Sequence, residues 1–391
     1  MYMRKTQLRN IMALCLSVFL LVACGTGGDS PKDSFTADTP MEEEMDMANS
    51  AESMEDSSSP ESATEESEIS SEAGQNSYTL QNLFPFEENT QRIYEGTGGE
   101  FAGYTEYVDF IQDNRIQLRM NNGGTEIVRV IERKDGELRE IFSEPEIYYV
   151  ENFLTKKPKE SRVLLKEPIA VGTSWINSEV ETNTITSVDA KVETPLGVFD
   201  AVEVSRVSEN DGVTYTTTDY YAIDMGLIKT VNSGGGYTFE AVLKIDEKNT
   251  SQKKVMNFYY PNIDDDRLFL YRKEITFKTN DIPRNLFLKA YKELPKEGGP
   301  VLTTNTQVNY LYLNDDGMVY IDLSKNFIDE MNAGAGYEVL ILQSLVNTFG
   351  DYYGANRVMM TIEGDPYESG HILLDEFEPL SVNYKSIVNM N

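Results

Sequence analysis

The segment DGMVYIDLSKNF, residues 316–327, places Asp322 and Ser324 at the end of an apolar run. Many α/β enzymes keep reactive carboxylates and hydroxyls in this position. Hydrolysis through Ser324 would need a general base, and the one histidine of the sequence, His371, lies near the chain end. No Gly-x-Ser-x-Gly elbow is present to expose a nucleophile. We therefore predict no catalytic residue here and expect the Ser324 hydroxyl to cap a short helix.

Acidic clusters are the second feature that could carry chemistry. The runs 264–266 and 315–316 offer oxygen ligands for a hard cation such as calcium. Neither follows the Asp-x-Asp-x-Asp-Gly loop with its distal glutamate, and both fall where turns are expected. A pair of carboxylates could hydrolyse a glycosidic bond, but 65 acidic residues place some pair at a suitable separation by chance. We predict no metal and no cofactor.

Aromatic side chains could stack on a sugar or an apolar ligand. Double tyrosines occur at 148–149, 220–221, 259–260 and 352–353. Neighbouring side chains of a strand point to opposite faces, so each of the first three pairs is predicted to give one buried and one exposed ring. We expect Trp175, the only tryptophan, to anchor the core or a hairpin.

The composition limits the classes of partner. The formal net charge is -31 and the isoelectric point is near 4.4. Nucleic-acid binding needs clustered Lys and Arg that displace counterions, so we predict no nucleic-acid partner. The 391 residues leave room for two or three domains. The two cysteines, Cys15 and Cys24, precede the folded part, which therefore has no Cys-His pair and no internal disulfide.

The N-terminus has the pattern of an export signal. Three basic residues precede an apolar run, residues 11–22, which is too short to span a membrane. The segment LVAC, residues 21–24, resembles the lipobox of bacterial lipoproteins, in which the cysteine is acylated and begins the mature chain. This resemblance implies a signal peptide at 1–23 and a membrane anchor at Cys24, on the outer face of the cell membrane. A secretory signal with a chance cysteine is the alternative.

Residues 24–76 are rich in Ser, Glu, Asp and Met and contain almost no aromatic residues. Low hydrophobicity and dense like charge cannot offset the entropy cost of ordering. We predict an acidic disordered tether that holds the folded part away from the membrane. An acidic tail that binds a partner is the functional alternative.

Strand signals dominate residues 77–250. Alternating or β-branched runs are separated by Asn-Gly, Asp-Gly and Gly-Gly turns. The runs lie at 104–111, 115–120, 126–132, 182–188, 190–193 and 215–221. They predict a mostly antiparallel β domain with a curved or partly closed sheet. Segments such as VGTSW and DYYAIDMGLIKT resemble β-rich domains of bacterial lipoproteins, and such a sheet could bind a lipid, a glycan or a peptide.

Strand and helix patterns alternate in residues 251–391. KKVMNFYYP, LFLYRKEITF and RVMMTIEG read as strands, QVNYLYL and MVYIDL as a hairpin, and PRNLFLKAYKEL and YEVLILQSLVNTF as helices. Apolar positions at helical spacing predict the buried faces. These are Pro283, Leu286, Ala290 and Leu294 in the first helix, and Val339, Ile341, Leu342, Leu345, Val346 and Phe349 in the second. The predicted fold class is α+β overall, with the β domain followed by a two-layer α/β domain.

The order of these segments resembles the GerMN domain, named for a lipoprotein of spore germination and sporulation. VMNFYYPN, the hairpin that closes in DGMVYIDLSKNF, the helix with Gln343, Asn347 and Thr348, and RVMMTIEG carry the resemblance. Members often have a Pro-x-Gly-Thr turn before the hairpin, where this chain has Thr304–Gln307. The sporulation protein resembles a tandem of two such domains, and this chain shows one.

The resemblance implies a non-enzymatic envelope protein whose C-terminal domain makes protein contacts, through self-association or with an envelope partner. Its role would be assembly, in sporulation or germination. The alternatives are a binding module that uses the β-rich domain and an enzyme active on peptidoglycan.

Overall fold

The computed structural model describes residues 78–158, 161–262, 264–376 and 378–390. The predicted signal peptide, Cys24 and the acidic tether lie outside these residues. Within the described part, no helix is both long enough and apolar enough to cross a membrane.

A twelve-stranded sheet forms the first part of the described chain. Its strands are β1 (Gln91–Thr97), β2 (Tyr104–Gln112), β3 (Arg115–Asn121), β4 (Glu126–Lys134), β5 (Glu137–Pro145), β6 (Arg162–Lys166), β7 (Ser174–Ser178), β8 (Glu181–Thr194), β9 (Gly197–Asn210), β10 (Val213–Ala222), β11 (Gly226–Gly234) and β12 (Tyr237–Glu247). Their spatial order is β6-β5-β4-β3-β2-β1-β12-β11-β10-β9-β8-β7, and every pair is antiparallel. The first and last strands in sequence therefore pair with each other.

Tight Asp-Gly turns connect two pairs of these strands. Between β4 and β5, Asp135 and Gly136 have φ values of 53° and 71°. Between β9 and β10, Asp211 and Gly212 have φ values of 50° and 73°. Positive φ at both central residues is the type I′ turn, whose twist matches that of antiparallel strands. The sequences KDGE and ENDG thus form the turns predicted from them.

Side chains join β6 and β7, the two ends of the strand order. The Asn177 Oδ1 atom accepts a hydrogen bond from Val163 N at 2.9 Å, and its Nδ2 atom donates to Val163 O at 3.0 Å. The Trp175 indole N–H donates to the same carbonyl at 3.0 Å. One amide side chain thus imitates a strand partner, and the sheet closes around its interior.

The interior of the sheet holds a hydrophobic core that crosses from strand to strand. Leu118 of β3, Val204 of β9 and Trp175 of β7 all belong to it. A one-turn helix, α1 (Leu80–Leu83), buries Leu80 and Leu83 in the same core. Trp175 is 6% exposed, so the structure confirms its predicted role as an anchor.

The described residues of the C-terminal part form two small sheets and three helices. In the first sheet, β13 (Gln252–Pro261) pairs antiparallel with β14 (Leu268–Phe277), which pairs parallel with β20 (Ile387–Asn389). The second sheet contains β15 (Val308–Leu313), β16 (Val319–Leu323), β17 (Arg357–Ile362), β18 (Asp365–Pro366) and β19 (Leu380–Ser381). The helices are α2 (Pro283–Lys292), α3 (Asn326–Asp329) and α4 (Ala335–Tyr353). The chain is thus mostly antiparallel β, with its longer helices confined to this part.

One hydrophobic core joins the large sheet to the C-terminal part. Phe110, Val130 and Phe142 of the large sheet belong to the same cluster as Phe287 of α2 and Phe349 of α4. The sequence boundary predicted at 250/251 falls in the connection between β12 and β13. Residues from both sides of it are therefore buried against each other.

Asn89 fixes the entry of the chain into the large sheet. Its N–H donates to Thr279 Oγ1 at 2.7 Å, and its side-chain Oδ1 accepts from Thr279 N at 3.0 Å. Its carbonyl accepts from Thr250 N at 2.9 Å, at the exit of the sheet. Entry, exit and the C-terminal part therefore meet at one residue.

The buried helix faces agree only in part with the predicted ones. In α4, Ile341, Leu342, Leu345, Val346 and Phe349 are buried, but the prediction for Val339 is wrong because it is 53% exposed. Glu338 takes the inward position, and its Oε1 atom accepts from Tyr367 Oη at 2.7 Å.

In α2 the buried face is formed mainly by aromatic side chains. Phe287 and Tyr291 are buried together with Ala290, whereas Leu294 is 52% exposed. The prediction for Leu294 is wrong because the helix ends at Lys292, before that residue.

Candidate functional site

The structure places the two residues that could have formed a serine-based site in different surroundings. Ser324 is buried beside Gln307, whereas His371 is exposed in a bend where its main-chain N–H donates to Ser369 Oγ at 3.1 Å. Among the described residues, no group of three or more His, Cys, Asp or Glu side chains is placed to hold a metal ion. The predicted acidic turns are present. Asp316 Oδ1 accepts from Met318 N at 2.9 Å, and Asp265 Oδ1 accepts from Asn262 Nδ2 at 2.7 Å.

Asp322 is a structural carboxylate. It is 2% exposed and accepts hydrogen bonds from Asn309 Nδ2 at 2.7 Å, Thr361 Oγ1 at 2.6 Å and Gly364 N at 2.8 Å. These donors come from β15, from β17 and from the turn that precedes β18. Three donors compensate the burial of this carboxylate and tie together the strands that supply them.

The prediction that Ser324 caps a helix is wrong. Its hydroxyl accepts from Gln307 N at 2.9 Å, and its own N–H donates to Gln307 O at 3.0 Å. The helix α3 begins only at Asn326, and its N-cap residue, Lys325, makes no side-chain cap. Ser324 therefore adds one more hydrogen-bonded pair to the end of the β15–β16 pairing. Its hydroxyl bonds to Gln307, next to β15, and not to the start of α3.

In two of the three tyrosine pairs predicted to lie in strands, one tyrosine is more exposed than the other. Tyr148 is 51% exposed while Tyr149 is half-buried, and Tyr221 is buried while Tyr220 is half-buried. The prediction is wrong for 259–260, where the exposures are 3% and 0%. Both faces of β13 are covered there, by α4 and the Tyr384 ring on one side and by α2 on the other.

A row of three tyrosines on the second small sheet was missed. Tyr310 and Tyr312 alternate along β15, and Tyr320 lies opposite Tyr312 on β16. The Tyr312 and Tyr320 rings stack at 5.6 Å with an interplanar angle of 14°, and Tyr310 lies 5.8 Å from Tyr312. We call these residues the tyrosine row. The period-2 spacing in VNYLYL could have revealed it, because alternate residues share one face.

A cleft lies where the large sheet meets the C-terminal part, with a volume of about 400 Å³. Four of its lining residues, Phe110, Val150, Leu311 and Tyr353, have buried apolar or aromatic side chains, and we call these four the floor. The polar residues Gln112, Asn152 and Asn280 also line it. We call it the junction cleft. Its lining mixes apolar and polar residues, and its volume lies in the range of about 300 to 1,000 Å³ that small-molecule sites occupy.

Glu151 is the acidic group of the junction cleft. Within the described residues its carboxylate accepts one side-chain hydrogen bond, from Leu313 N at 3.4 Å. Burial raises the pKa of Glu151 to about 7, against the opposing effects of the Leu313 N–H and the charge of Lys156. A ligand that is positively charged or that donates hydrogen bonds would stabilise the charged form of such a half-buried, weakly bonded carboxyl.

Arg284 is the basic group of the junction cleft. Its Nε atom donates to Val308 O at 3.1 Å, which orients the side chain from the first turn of α2. Within the described residues, its two terminal nitrogens make no hydrogen bond. Tyr353 lies within electrostatic reach of both charges: burial raises its pKa, Glu151 raises it further and Arg284 lowers it. The cleft thus presents one acid, one base and one aromatic ring.

Sequence reasoning did not find this cleft. Glu151 and Arg284 are 133 positions apart in the sequence, and neither was singled out as a candidate. They come together because the β5–β6 connection and the start of α2 pack against the same strand, β15. That packing leaves no local pattern in the sequence.

The C-terminal part matches a known protein family. The family model described as Germane, sporulation and spore germination, matches residues 257–368. The C-terminal part of the chain therefore contains a GerMN-type domain, and the resemblance found in the sequence is confirmed there. A comparison with curated protein sequences finds no match.

Two similar solved structures come from the same organism. The first GerMN domain of the sporulation protein GerM from Bacillus subtilis is 20% identical, covers 33% of this chain and 97% of its own, and has a TM-score of 0.26. The tandem GerMN domains of that protein are 19% identical, cover 33% of this chain and 46% of their own, and have a TM-score of 0.25. This chain thus spans about half of the tandem's length.

Proposed function

We propose that this chain is a lipid-anchored, extracytoplasmic protein with an assembly role in the cell envelope, in sporulation or spore germination. It acts by binding other proteins and carries out no reaction of its own. The observation that carries the proposal is the GerMN-type domain at 257–368, whose family is described by sporulation and germination.

The N-terminal sequence supports the anchored location. The basic start, the apolar run and LVAC at 21–24 give the order of a lipoprotein signal. Two or more acyl chains on Cys24 would hold the protein stably at the membrane, since one chain gives only marginal binding. The acidic segment 24–76 would then separate the anchor from the folded part.

The tyrosine row supports the protein-contact part of the proposal. Tyrosine is enriched at protein interfaces because its ring buries a large area while its hydroxyl keeps a polar partner. Tyr312 is 36% exposed, and Tyr320 Oη donates to Asp316 Oδ2 at 2.8 Å, which fixes its ring. Three adjacent rings on the solvent face of one sheet form a rigid surface that another protein could cover.

Cross-linking in the native cell envelope tests the proposal. The full-length protein should give specific cross-linked species, to itself or to an envelope protein, and Tyr312→Ser should reduce them severalfold. Tyr237→Ser is the matched control, because Tyr237 is 54% exposed on β12 of the large sheet. Equal cross-linking in both variants would reject the tyrosine row as the contact surface.

The anchor has a separate test. Cys24→Ser should abolish incorporation of labelled fatty acid and release the protein from the membrane fraction. Retention of the label in this variant would reject the lipid anchor at Cys24.

A further inference from the structure

We propose that the junction cleft binds a short peptide with free ends, whose ammonium group pairs with Glu151 and whose carboxylate pairs with Arg284. The site is independent of the assembly role proposed above. It uses residues from the large sheet and from the C-terminal part together.

Glu151 is suited to an ammonium ligand. Its carboxylate is held by a single long hydrogen bond and lies beside an apolar floor, so a cation that donates hydrogen bonds would stabilise its charged form. Lys156, whose charge lowers the pKa of Glu151, pairs instead with Asp315, whose Oδ1 atom lies 3.5 Å from Lys156 Nζ. The Glu151 charge raises the pKa of four phenols, those of Tyr149, Tyr312, Tyr352 and Tyr353. They are neutral acids and do not neutralise a carboxylate.

Arg284 is suited to a carboxylate ligand. Its Nε atom is already bonded to Val308 O, so the guanidinium is fixed in place and its terminal nitrogens remain to form a two-pronged pair. A fixed guanidinium loses little entropy when it binds.

The placement of the two charges favours a peptide over a single amino acid. Glu151 and Arg284 both line the cleft, and no ion pair joins them among the described residues. Neither charge is therefore neutralised by the other. A ligand must reach both groups across the cleft, and a dipeptide or tripeptide has a longer reach than an α-amino acid.

The floor of the cleft favours apolar side chains on the ligand. Phe110, Val150, Leu311 and Tyr353 are each less than a tenth exposed and line the cleft. A ligand with one charge only would leave the other protein charge without a partner, which costs affinity. The best ligand is therefore charged at both ends and carries apolar side chains.

Calorimetric titration of the full-length protein tests this inference. The probes are leucyl-leucine, leucyl-leucyl-leucine, their N-acetyl derivatives and their C-terminal amides. At least one free peptide should bind, and removal of either end charge should weaken its binding about tenfold or more, the effect of about 1.4 kcal/mol. These chemical variants of the ligand test the site even if a protein variant fails to fold.

Two substitutions assign the charges to their partners. Glu151→Gln should weaken binding of the free peptide about tenfold or more and leave binding of the N-acetyl peptide unchanged. Arg284→Met should weaken binding of the free peptide by a similar factor and leave binding of the peptide amide unchanged. Glu247→Gln and Arg267→Met, at exposed positions, are the matched controls and should bind like the unmodified protein.

Three results would overturn the inference. They are no binding of either free peptide at millimolar concentration, equal binding of the blocked and free peptides, and unchanged binding in both cleft variants. None of them affects the cross-linking of the tyrosine row, so this proposal and the assembly role fail separately.

Discussion

Arg119 Nη2 and Asp109 Oδ2 form an ion pair 2.9 Å apart, and both side chains are only 1% exposed. The same guanidinium donates to Tyr149 O at 2.7 Å and to Ile147 O, in the connection between β5 and β6. Glu151 follows two residues later. The buried pair therefore fixes the segment that brings the acidic group to the junction cleft.

Removal of Asp109 should destabilise the protein strongly. Asp109→Ala leaves the Arg119 guanidinium buried with less compensating charge, although Glu126 still pairs with it at 3.0 Å. We expect a loss of about 3–5 kcal/mol in the free energy of unfolding, measured with urea, because an unpaired buried charge is costly. Asp265→Ala removes one partner of the exposed pair with Arg267 and should cost less than about 1 kcal/mol. Equal losses in the two variants would contradict the role of the buried pair.

Glu151 should make stability fall as the pH rises through neutrality. Its pKa is raised from 4.5 to about 7 in the folded protein, so the folded state keeps a proton that the unfolded chain releases. The stabilisation is complete below about pH 4.5 and is lost as the pH approaches and passes 7. After allowance for partial exposure we expect a difference of about 2 kcal/mol.

The measurement compares the unmodified protein with Glu151→Gln. The variant cannot ionise at this position. The difference between the two free energies of unfolding should therefore change by about 2 kcal/mol between pH 4.5 and 8. A gap that stays constant over this range would show that the carboxyl has an ordinary pKa.

Asp322→Ala should destabilise the second small sheet. The substitution leaves the donors from Asn309, Thr361 and Gly364 without their acceptor, and we expect a loss of about 3 kcal/mol in urea unfolding. Asp315→Ala is the control, because the Asp315 side chain is 96% exposed. It should change the free energy of unfolding by less than about 0.5 kcal/mol. A loss below 1 kcal/mol for Asp322→Ala would show that water replaces the carboxylate.

Asn177→Ala should open the junction between β6 and β7. Both main-chain groups of Val163 lose a partner, so we expect a loss of about 1–2 kcal/mol and faster hydrogen exchange of the Val163 amide. Asn232→Ala removes an exposed side-chain bond to Thr217 and should leave the exchange at Val163 unchanged. Unaltered exchange in Asn177→Ala would mean that the indole of Trp175 alone closes the sheet.

Sequence patterns predicted the elements that depend on local periodicity. LFLYRKEITF, residues 268–277, coincides with β14 because turn residues bound an unbroken strand pattern. The runs 182–188 and 190–193 are a single strand, β8, because the irregular pairing near Ser187 lets the strand continue through a break in alternation. Local patterns cannot show whether such a break ends a strand.

The errors concern side chains whose partners are distant in sequence. Ser324 bonds to Gln307, which the helix-cap rule does not consider, and Val339 is exposed because Glu338 turns inward to Tyr367. Glu151 lies in the short segment VENF, and only its burial beside residues from the C-terminal part makes it a candidate. The candidate site could not be read from the sequence for the same reason.

The bonds of Asn89 have a mechanical consequence. Tension that reaches Asn89 from the N-terminal side passes through its two bonds to Thr279 and its bond to Thr250 directly into the C-terminal part. The strands of the large sheet lie between Asn89 and Thr250 in the sequence, so force on this route bypasses their rungs while the three bonds hold. If the bonds break, β1 and β12 are pulled apart from their common end, starting at Gln91 and Glu247, one rung at a time. The three bonds therefore protect the pairing of β1 with β12 from a pull that reaches Asn89.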